Sequence, residues 1–301
     1  MNTALRGAAL CVLAAIAARD ARPQWVTPAA AAPRVQQRTF QSAAAKSVVS
    51  YFIYTPEIYD QEKERRFPVL YWLHGTGGGV GGVAYLAGHF DAAVRAGKTP
   101  AMLVVFPNGM RSSMWCDSKD GRVPMETVVV KELVPHVDAA FRTIATRRGR
   151  LIEGFSMGGY GAARLGFKHH GVFGAVSILA AGPLDLELRG PRAMASPQER
   201  EQVLMSVYGG DLEYFRAQSP LALAERFAAE ARESTPVRHV VGGRDDTLDL
   251  NRGFHEHLTR LGIPHEFEVL PGVGHNPKAV LEALGEGNWR FYRSAFGMEK
   301  R

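Results

Sequence analysis

Beyond about residue 39 the chain alternates between short apolar runs and stretches with apolar residues at helical spacing. Residues 68–73, 102–106, 151–152, 175–179, 237–241 and 267–270 are apolar or nearly so, the pattern of strands buried on both faces. Residues 48–54 are β-branched and aromatic and predict an edge strand or hairpin arm. Between these runs, Val130, Leu133, Val134, Val137 and Phe141 fall on one helical stripe, with Pro135 expected to kink it. Leu250, Phe254, His257, Leu258 and Leu261 form another. Such alternation predicts a mostly parallel sheet with helices on both faces. One segment, residues 184–234, is rich in Arg, Glu and Ala, with helical stretches at 197–208 and 221–232. It reads as a helical insertion over one end of the sheet. No internal repeat or linker divides the body, so residues 39–301 are expected to form one domain.

The first 38 residues differ in kind. Arg6 precedes an apolar run at 8–18, and small-residue cleavage patterns follow at Ala15-Ile16-Ala17 and Ala29-Ala30-Ala31. This layout predicts a signal peptide and an Ala/Pro-rich spacer, and hence a secreted or periplasmic protein. The run is shorter than the roughly 18–20 apolar residues a spanning helix needs. The chain has 301 residues, 46% hydrophobic and 22% charged, a globular composition that excludes a disordered, collagen-like or coiled-coil protein. The net charge of +6 comes with only short basic runs, Lys63, Arg65 and Arg66, then Arg147, Arg148 and Arg150. Neither is interleaved with aromatics, so no nucleic-acid partner is expected. Two cysteines, Cys11 and Cys116, cannot build a disulfide framework, and no Cys/His cluster suggests a metal.

The chemistry gathers after strand ends. The strand through Glu153 runs into Gly154-Phe155-Ser156-Met157-Gly158-Gly159, where a helix begins. G-x-S-x-G between a buried strand and a helix is a nucleophile elbow, which presents Ser156 Oγ at the carboxyl edge of the sheet. A serine needs a base oriented by an acid, and in this arrangement both follow it in the chain. The run 237–241 ends in Gly242-Gly243-Arg244-Asp245-Asp246, and the last strand ends in Gly272-Val273-Gly274-His275. His275 is the expected base, since His255 and His257 fall inside a helix and His265 opens a strand. Asp245, Asp246 and Asp249 compete for the acid. The backbone N–H groups of Met157 and Thr76 are the candidate oxyanion donors, Thr76 lying in His74-Gly75-Thr76-Gly77-Gly78-Gly79 after the strand 69–73. Gly77, Gly79 and Gly82 also satisfy GxGxxG, but the next strand ends in Phe106-Pro107-Asn108 with no acidic residue for a ribose. No nucleotide, metal or other cofactor is expected.

Residues 67–75 (FPVLYWLHG), Glu132-Leu133-Val134-Pro135 and residues 150–162 resemble the "putative esterase" family of α/β hydrolases, which holds S-formylglutathione hydrolases (esterase D), feruloyl and acetylxylan esterase domains, and mycolyltransferases. The similarity covers about residues 48–296. It implies an α/β-hydrolase fold, with Ser156 as nucleophile, Asp245 as acid, His275 as base, and Thr76 and Met157 as oxyanion donors. The segment Asn251-Arg252-Gly253-Phe254-His255-Glu256 resembles the feruloyl-esterase-like branch. Met114-Trp115-Cys116-Asp117-Ser118 resembles the family's Trp-x-x-Asp loop, which implies a pocket formed by Met114, Trp115 and Gly77. Lys168-His169-His170-Gly171 replaces the usual His-Pro, a change read as a surface feature.

The leading expectation is a secreted serine carboxylesterase acting on short-chain or aromatic esters, free or linked to polysaccharide, through an acyl-enzyme. An acyltransferase with a sugar or alcohol acceptor and a serine peptidase use the same machinery and stand as alternatives. A non-catalytic binding protein on the same scaffold is disfavoured by the intact Ser156, Asp245 and His275 set. The sequence does not determine the oligomeric state.

Overall fold

The computed structural model describes residues 24–189 and 196–297. The expected leader, with Cys11, lies outside the described residues apart from its final segment. That segment, expected as spacer, is folded: Trp25 is buried and β1 runs over Val35–Ser42. The sheet continues with β2 (Ser47–Tyr54), β3 (Val69–Leu73), β4 (Leu103–Pro107), β5 (Arg150–Phe155), β6 (Ala175–Leu179), β7 (Val237–Gly242) and β8 (Glu266–Leu270). Its order is β1-β2-β4-β3-β5-β6-β7-β8; β1 and β2 are antiparallel, β2 meets β4 antiparallel, and every later pairing is parallel.

Strand residues alternate between two cores because successive side chains leave opposite faces of a sheet. Val69, Tyr71 and Leu73 join one core with Tyr160, Leu165, Phe254 and Leu258 of the helices Met157–Lys168 and Leu248–Arg260. Leu70 and Trp72 join the other with Phe90 and Tyr292 of the helices Val83–Arg95 and Pro277–Ala295. Each wholly buried side chain of this size contributes about 1.5–3 kcal/mol, so both faces need their helical cover.

The stripe at 130–141 forms differently from expectation. A π-helical segment, Val128–Leu133, leads into the helix Val134–Ala140, with Pro135 in its first turn. Helical backbone runs unbroken from Met125 to Ala140, so Pro135 lies inside it, and the π-helical segment just before it absorbs the hydrogen bond that proline cannot make. The insertion carries the helix Pro197–Tyr208 as expected. Its second helical stretch is divided into Pro220–Arg226 and Ala228–Ser234, with a further helix, Leu212–Ala217, before it. No helix of the described residues is long and apolar enough to cross a membrane.

Candidate active site

The carboxyl ends of β3, β5, β7 and β8 meet at one edge of the sheet, where ligand sites of open parallel sheets form. β5 delivers Ser156 on a turn with φ 59° and ψ −119°, a conformation costly for a residue with a Cβ. The turn is this tight because the following helix folds back over β5. A Cβ on Gly158 would lie 1.9 Å from the Leu73 carbonyl oxygen, and one on Gly154 would lie 2.3 Å from that of Gly158. The backbone of Ser156 is tied down on both sides: its N–H donates to Leu179 O at 3.0 Å, and its carbonyl accepts from Tyr160 and Gly182.

His275 follows β8, and its Nε2 lies 2.9 Å from Ser156 Oγ. Its Nδ1 lies 2.7 Å from Asp245 Oδ2, just past β7. Burial alone would raise the Asp245 carboxyl, but hydrogen bonds from His275 and from the N–H and hydroxyl of Thr247 outweigh it and hold the group below its ordinary range. An ionised Asp245 accepts the Nδ1 proton, which leaves Nε2 as the lone pair facing Ser156. Asp246 is exposed at the cleft, and Asp249 is an exposed residue of the next helix. His255 and His265 bond one another at 2.7 Å, and His257 bonds Leu221 O, away from this relay.

The glycine loop after β3 stands opposite. Thr76 and Gly77 are exposed and line the same cleft as Ser156, whose volume is about 890 Å³. The histidine at the start of this loop holds it in place, a role that no motif in the sequence marks. His74 is buried, and Gly109 N–H donates to its Nε2 at 3.0 Å. Its Nδ1–H therefore donates to Gly75 O at 2.8 Å. Burial pushes this imidazole down to about 4, so it is neutral, as the two bonds require.

Two of the three expected pocket residues are elsewhere. Gly77 lines the cleft, but Met114 and Trp115 are fully buried and do not. Trp115 is structural: its ring lies 5.0 Å from that of His74, and its indole N–H donates to His74 O at 3.2 Å. Met157 is likewise buried, leaving its backbone N–H as its candidate contribution. Cys116 is buried with its thiol pushed up by burial. Lys168 and His169, read from sequence as surface features, contact buried Glu126 at 2.7 and 2.8 Å, beside wholly buried Arg164 at 2.8 Å.

A second group missed from sequence supports the acid. Thr247 Oγ1 donates to Asp245 Oδ1 at 2.7 Å and accepts from Asn251 Nδ2 at 3.0 Å. Asn251 is wholly buried, bonds both the N–H and the carbonyl of Ala181, and lies 2.8 Å from His239 Nε2. The available signal was a polar residue within the apolar stripe of its helix.

A model of the family described as "Putative esterase" matches residues 42–294. Esterase Rv1288 of Mycobacterium tuberculosis is 29% identical over 264 residues, 81% of this chain and 56% of that protein. The endo-1,4-beta-xylanase/feruloyl esterase of Xylanibacter ruminicola is 30% identical over 175 residues, 53% of this chain and 23% of that one. This chain thus spans about half the length of the mycobacterial relative and less of the other. Among solved structures, a ferulic acid esterase superposes with a TM-score of 0.70 at 26% identity, covering 86% of this chain and 97% of that one. An S-formylglutathione hydrolase from Agrobacterium tumefaciens shares the fold, with a TM-score of 0.70 at 18% identity over 87% of this chain and 95% of its own. With an eight-stranded sheet, an elbow serine and a family match over most of its length, the chain has the α/β-hydrolase fold and belongs to the "Putative esterase" family.

Proposed function

We propose that this protein is a serine carboxylesterase that hydrolyses short-chain or aromatic esters through an acyl-enzyme on Ser156. The observation that carries this reading is the relay Asp245–His275–Ser156, with heavy-atom separations of 2.7 and 2.9 Å at the floor of an open cleft. His275 Nε2 takes the hydroxyl proton as Ser156 Oγ attacks the ester carbonyl. Asp245 holds the ring in that tautomer and stabilises the imidazolium that forms. The negative charge on the carbonyl oxygen meets the N–H groups of Thr76 and Met157, the second at the start of a helix whose dipole favours an anion. His275 then returns the proton to the departing alkoxide. Water, deprotonated by the same imidazole, releases the acid.

The apolar run 8–18 behind Arg6 supports export, with esters met outside the cytoplasm as substrates; fractionation of cells expressing the full chain tests that part. The activity itself is tested with p-nitrophenyl acetate and butyrate, methyl ferulate and a long-chain ester, with and without a serine-directed phosphonate. Hydrolysis abolished by phosphonate bound at Ser156 is expected. Activity surviving in Ser156→Ala would overturn the reading, and a clear preference for the long-chain ester would overturn the substrate class.

A further inference from the structure

The loop that carries Thr76 lies against the serine: a Cβ on Gly75 would stand 3.9 Å from Ser156 Oγ. With glycine at 75, 77, 78 and 79, the loop cannot hold its own shape and must be held from outside. A trans peptide unit is planar, so the Gly75 carbonyl and the Thr76 N–H point opposite ways from one plane. His74 Nδ1–H holds that carbonyl at 2.8 Å and thereby fixes the line of the Thr76 N–H. The next plane is fixed through its own N–H, which runs from Gly77 to Arg111 O at 2.8 Å. Both supports lead to the turn after β4, where Gly109 N–H donates to His74 Nε2 at 3.0 Å and Arg111 lies two residues on. Between them Met110 has φ 54°, a left-handed conformation that a residue with a Cβ adopts only at a cost.

Asn108 holds this turn. It is buried, and its Oδ1 accepts from Met110 N–H at 3.0 Å. Its Nδ2 donates to Gln24 O at 3.0 Å and to Trp25 O at 2.9 Å. Those two carbonyls decide which way the amide faces. Turned over, it would set its oxygen against two carbonyl oxygens and its NH2 against the Met110 N–H. Residues 24 and 25 precede the family match at 42–294, yet they are seated in the body. Trp25 belongs to the core that holds Tyr51 and Trp115, and its carbonyl also accepts from Ser50 N–H at 2.9 Å. Thr27 N–H donates to Ser50 Oγ at 2.9 Å, which ties the segment down a second time.

We propose that Asn108 is a positioning residue for the oxyanion hole: seated on residues 24 and 25, it sets the turn 109–111, which aims the Thr76 N–H at the ester oxygen. The proposal rests on the esterase reading and extends its machinery to a residue that does not line the cleft. Asn108→Ala should lower kcat and kcat/KM for p-nitrophenyl acetate together, about ten- to a hundredfold, with KM within about twofold. That is less than the roughly 10²–10³ lost when an oxyanion donor is removed outright. The pH midpoint of kcat should stay at the wild-type value, because the bonds of His275 to Asp245 and Ser156 are untouched. Trp25→Ala should reproduce the loss from the far side of the contact, and Trp25→Phe, which keeps a buried ring, should recover most of the rate. The double variant Asn108→Ala/Trp25→Ala should lose no more than about twice what Asn108→Ala loses, since both act through one contact. A wild-type kcat in Asn108→Ala, a loss carried by KM, or a moved pH midpoint overturns the proposal. Should Asn108→Ala alone fail to fold, the two Trp25 variants decide on the same readouts. Should Trp25→Ala fail as well, the contact serves only the fold and the proposal falls. Failure of phosphonate to label Ser156 in the wild-type protein would instead remove the esterase reading beneath it.

Discussion

Replacing Thr247 by valine removes one donor from Asp245 while nearly preserving side-chain volume. Thr247 is wholly buried, and both its N–H and its hydroxyl donate to Asp245 Oδ1, at 2.8 and 2.7 Å. Valine keeps the first bond and loses the second. It also removes one acceptor of Asn251 Nδ2, which retains Ala181 O and Thr247 O. A hydrogen bond to a charged group is worth about 1.5–3 kcal/mol. Asp245 is ionised in the resting enzyme as well, so only the part by which this bond strengthens as His275 becomes an imidazolium is lost from the transition state. At about 1.4 kcal/mol per factor of ten, losing about 1 kcal/mol of that difference should lower kcat roughly fivefold, with the whole bond's 10- to 150-fold as the ceiling. KM for p-nitrophenyl acetate should change little, because Thr247 does not line the cleft. The Asp245 carboxyl, held low partly by this hydroxyl, moves up towards its ordinary range but stays ionised at neutral pH. Thr247→Ser restores the donor and should restore most of the rate. Steady-state kinetics on the two variants, with urea unfolding as control, checks this. A wild-type kcat in Thr247→Val, or equal losses in the valine and serine variants, would refute the argument.

Ser156→Ala should remain folded and lose at least about three orders of magnitude in turnover, as triad removals do. Ser156→Gly should be equally inactive yet more stable than the alanine variant by about 1 kcal/mol, since glycine relieves the strain at φ 59°; urea midpoints test the order. Asp245→Asn should cost about 10⁴ in kcat, because a neutral amide no longer fixes the tautomer of His275. Asp246→Asn should cost less than about tenfold on the same assay, since Asp246 is exposed and His275 Nδ1 is held by Asp245; the reverse ranking would move the acid by one residue. His74 and His239 are each pushed down to about 4 by burial, whereas an unfolded histidine titrates near 6.5. Between those values the unfolded chain binds more protons, so stability falls as pH drops through that window and the loss levels off below it, by up to about 3 kcal/mol per histidine. His239→Gln should flatten the decline between pH 7 and 4 in urea unfolding; an unchanged slope would show that His239 does not drive it.

The buried strands were legible because parallel strands covered on both faces must be continuously apolar, and 175–179 and 237–241 match β6 and β7 to within a residue. β1 was not, for the opposite reason. It is an edge strand of mostly polar residues, Val-Gln-Gln-Arg-Thr-Phe-Gln-Ser, and only Phe40 and Ser42 are buried. Its pairing with β2 is a local hairpin closed across residues 43–46, but the mostly polar strand leaves no apolar run to read, and the seating of Trp25 depends on Ser50 and Asn108, more distant in sequence. At the site, Ser156 and His275 were legible because glycine spacing and chain order constrain them. Thr247 and His74 were not, since each supports the site through hydrogen bonds, to Asp245 and Asn251 or to Gly75 and Gly109, that no residue spacing or motif marks in advance. Met114 and Trp115 show the converse. Residues of the type that line apolar pockets also fill cores, and here they lie beneath the glycine loop rather than in the cleft.

The strain at Ser156 explains why so much polar structure is buried around it. A residue held in a sparsely populated conformation costs about 1–3 kcal/mol and persists only if its surroundings leave it no alternative. The carbonyl of Ser156 accepts from Gly182 N–H at 3.2 Å, so the turn is anchored to the segment that follows β6. That segment is fixed in turn by Asn251, which bonds the N–H and carbonyl of Ala181. Asn251 also reaches Asp245 through Thr247. The serine and the acid are therefore positioned by one shared side chain, although they leave different strands. Upstream, Glu153 of β5 is wholly buried, accepts from Tyr292 at 2.9 Å and lies 3.3 Å from Arg238 of β7. Breaking that buried pair by removing one partner leaves an uncompensated charge, at a cost of about 3–5 kcal/mol. The strand that carries the elbow is thus fixed to the strand that carries the acid by groups that cannot part without that cost. This holds the strained serine and its relay in register.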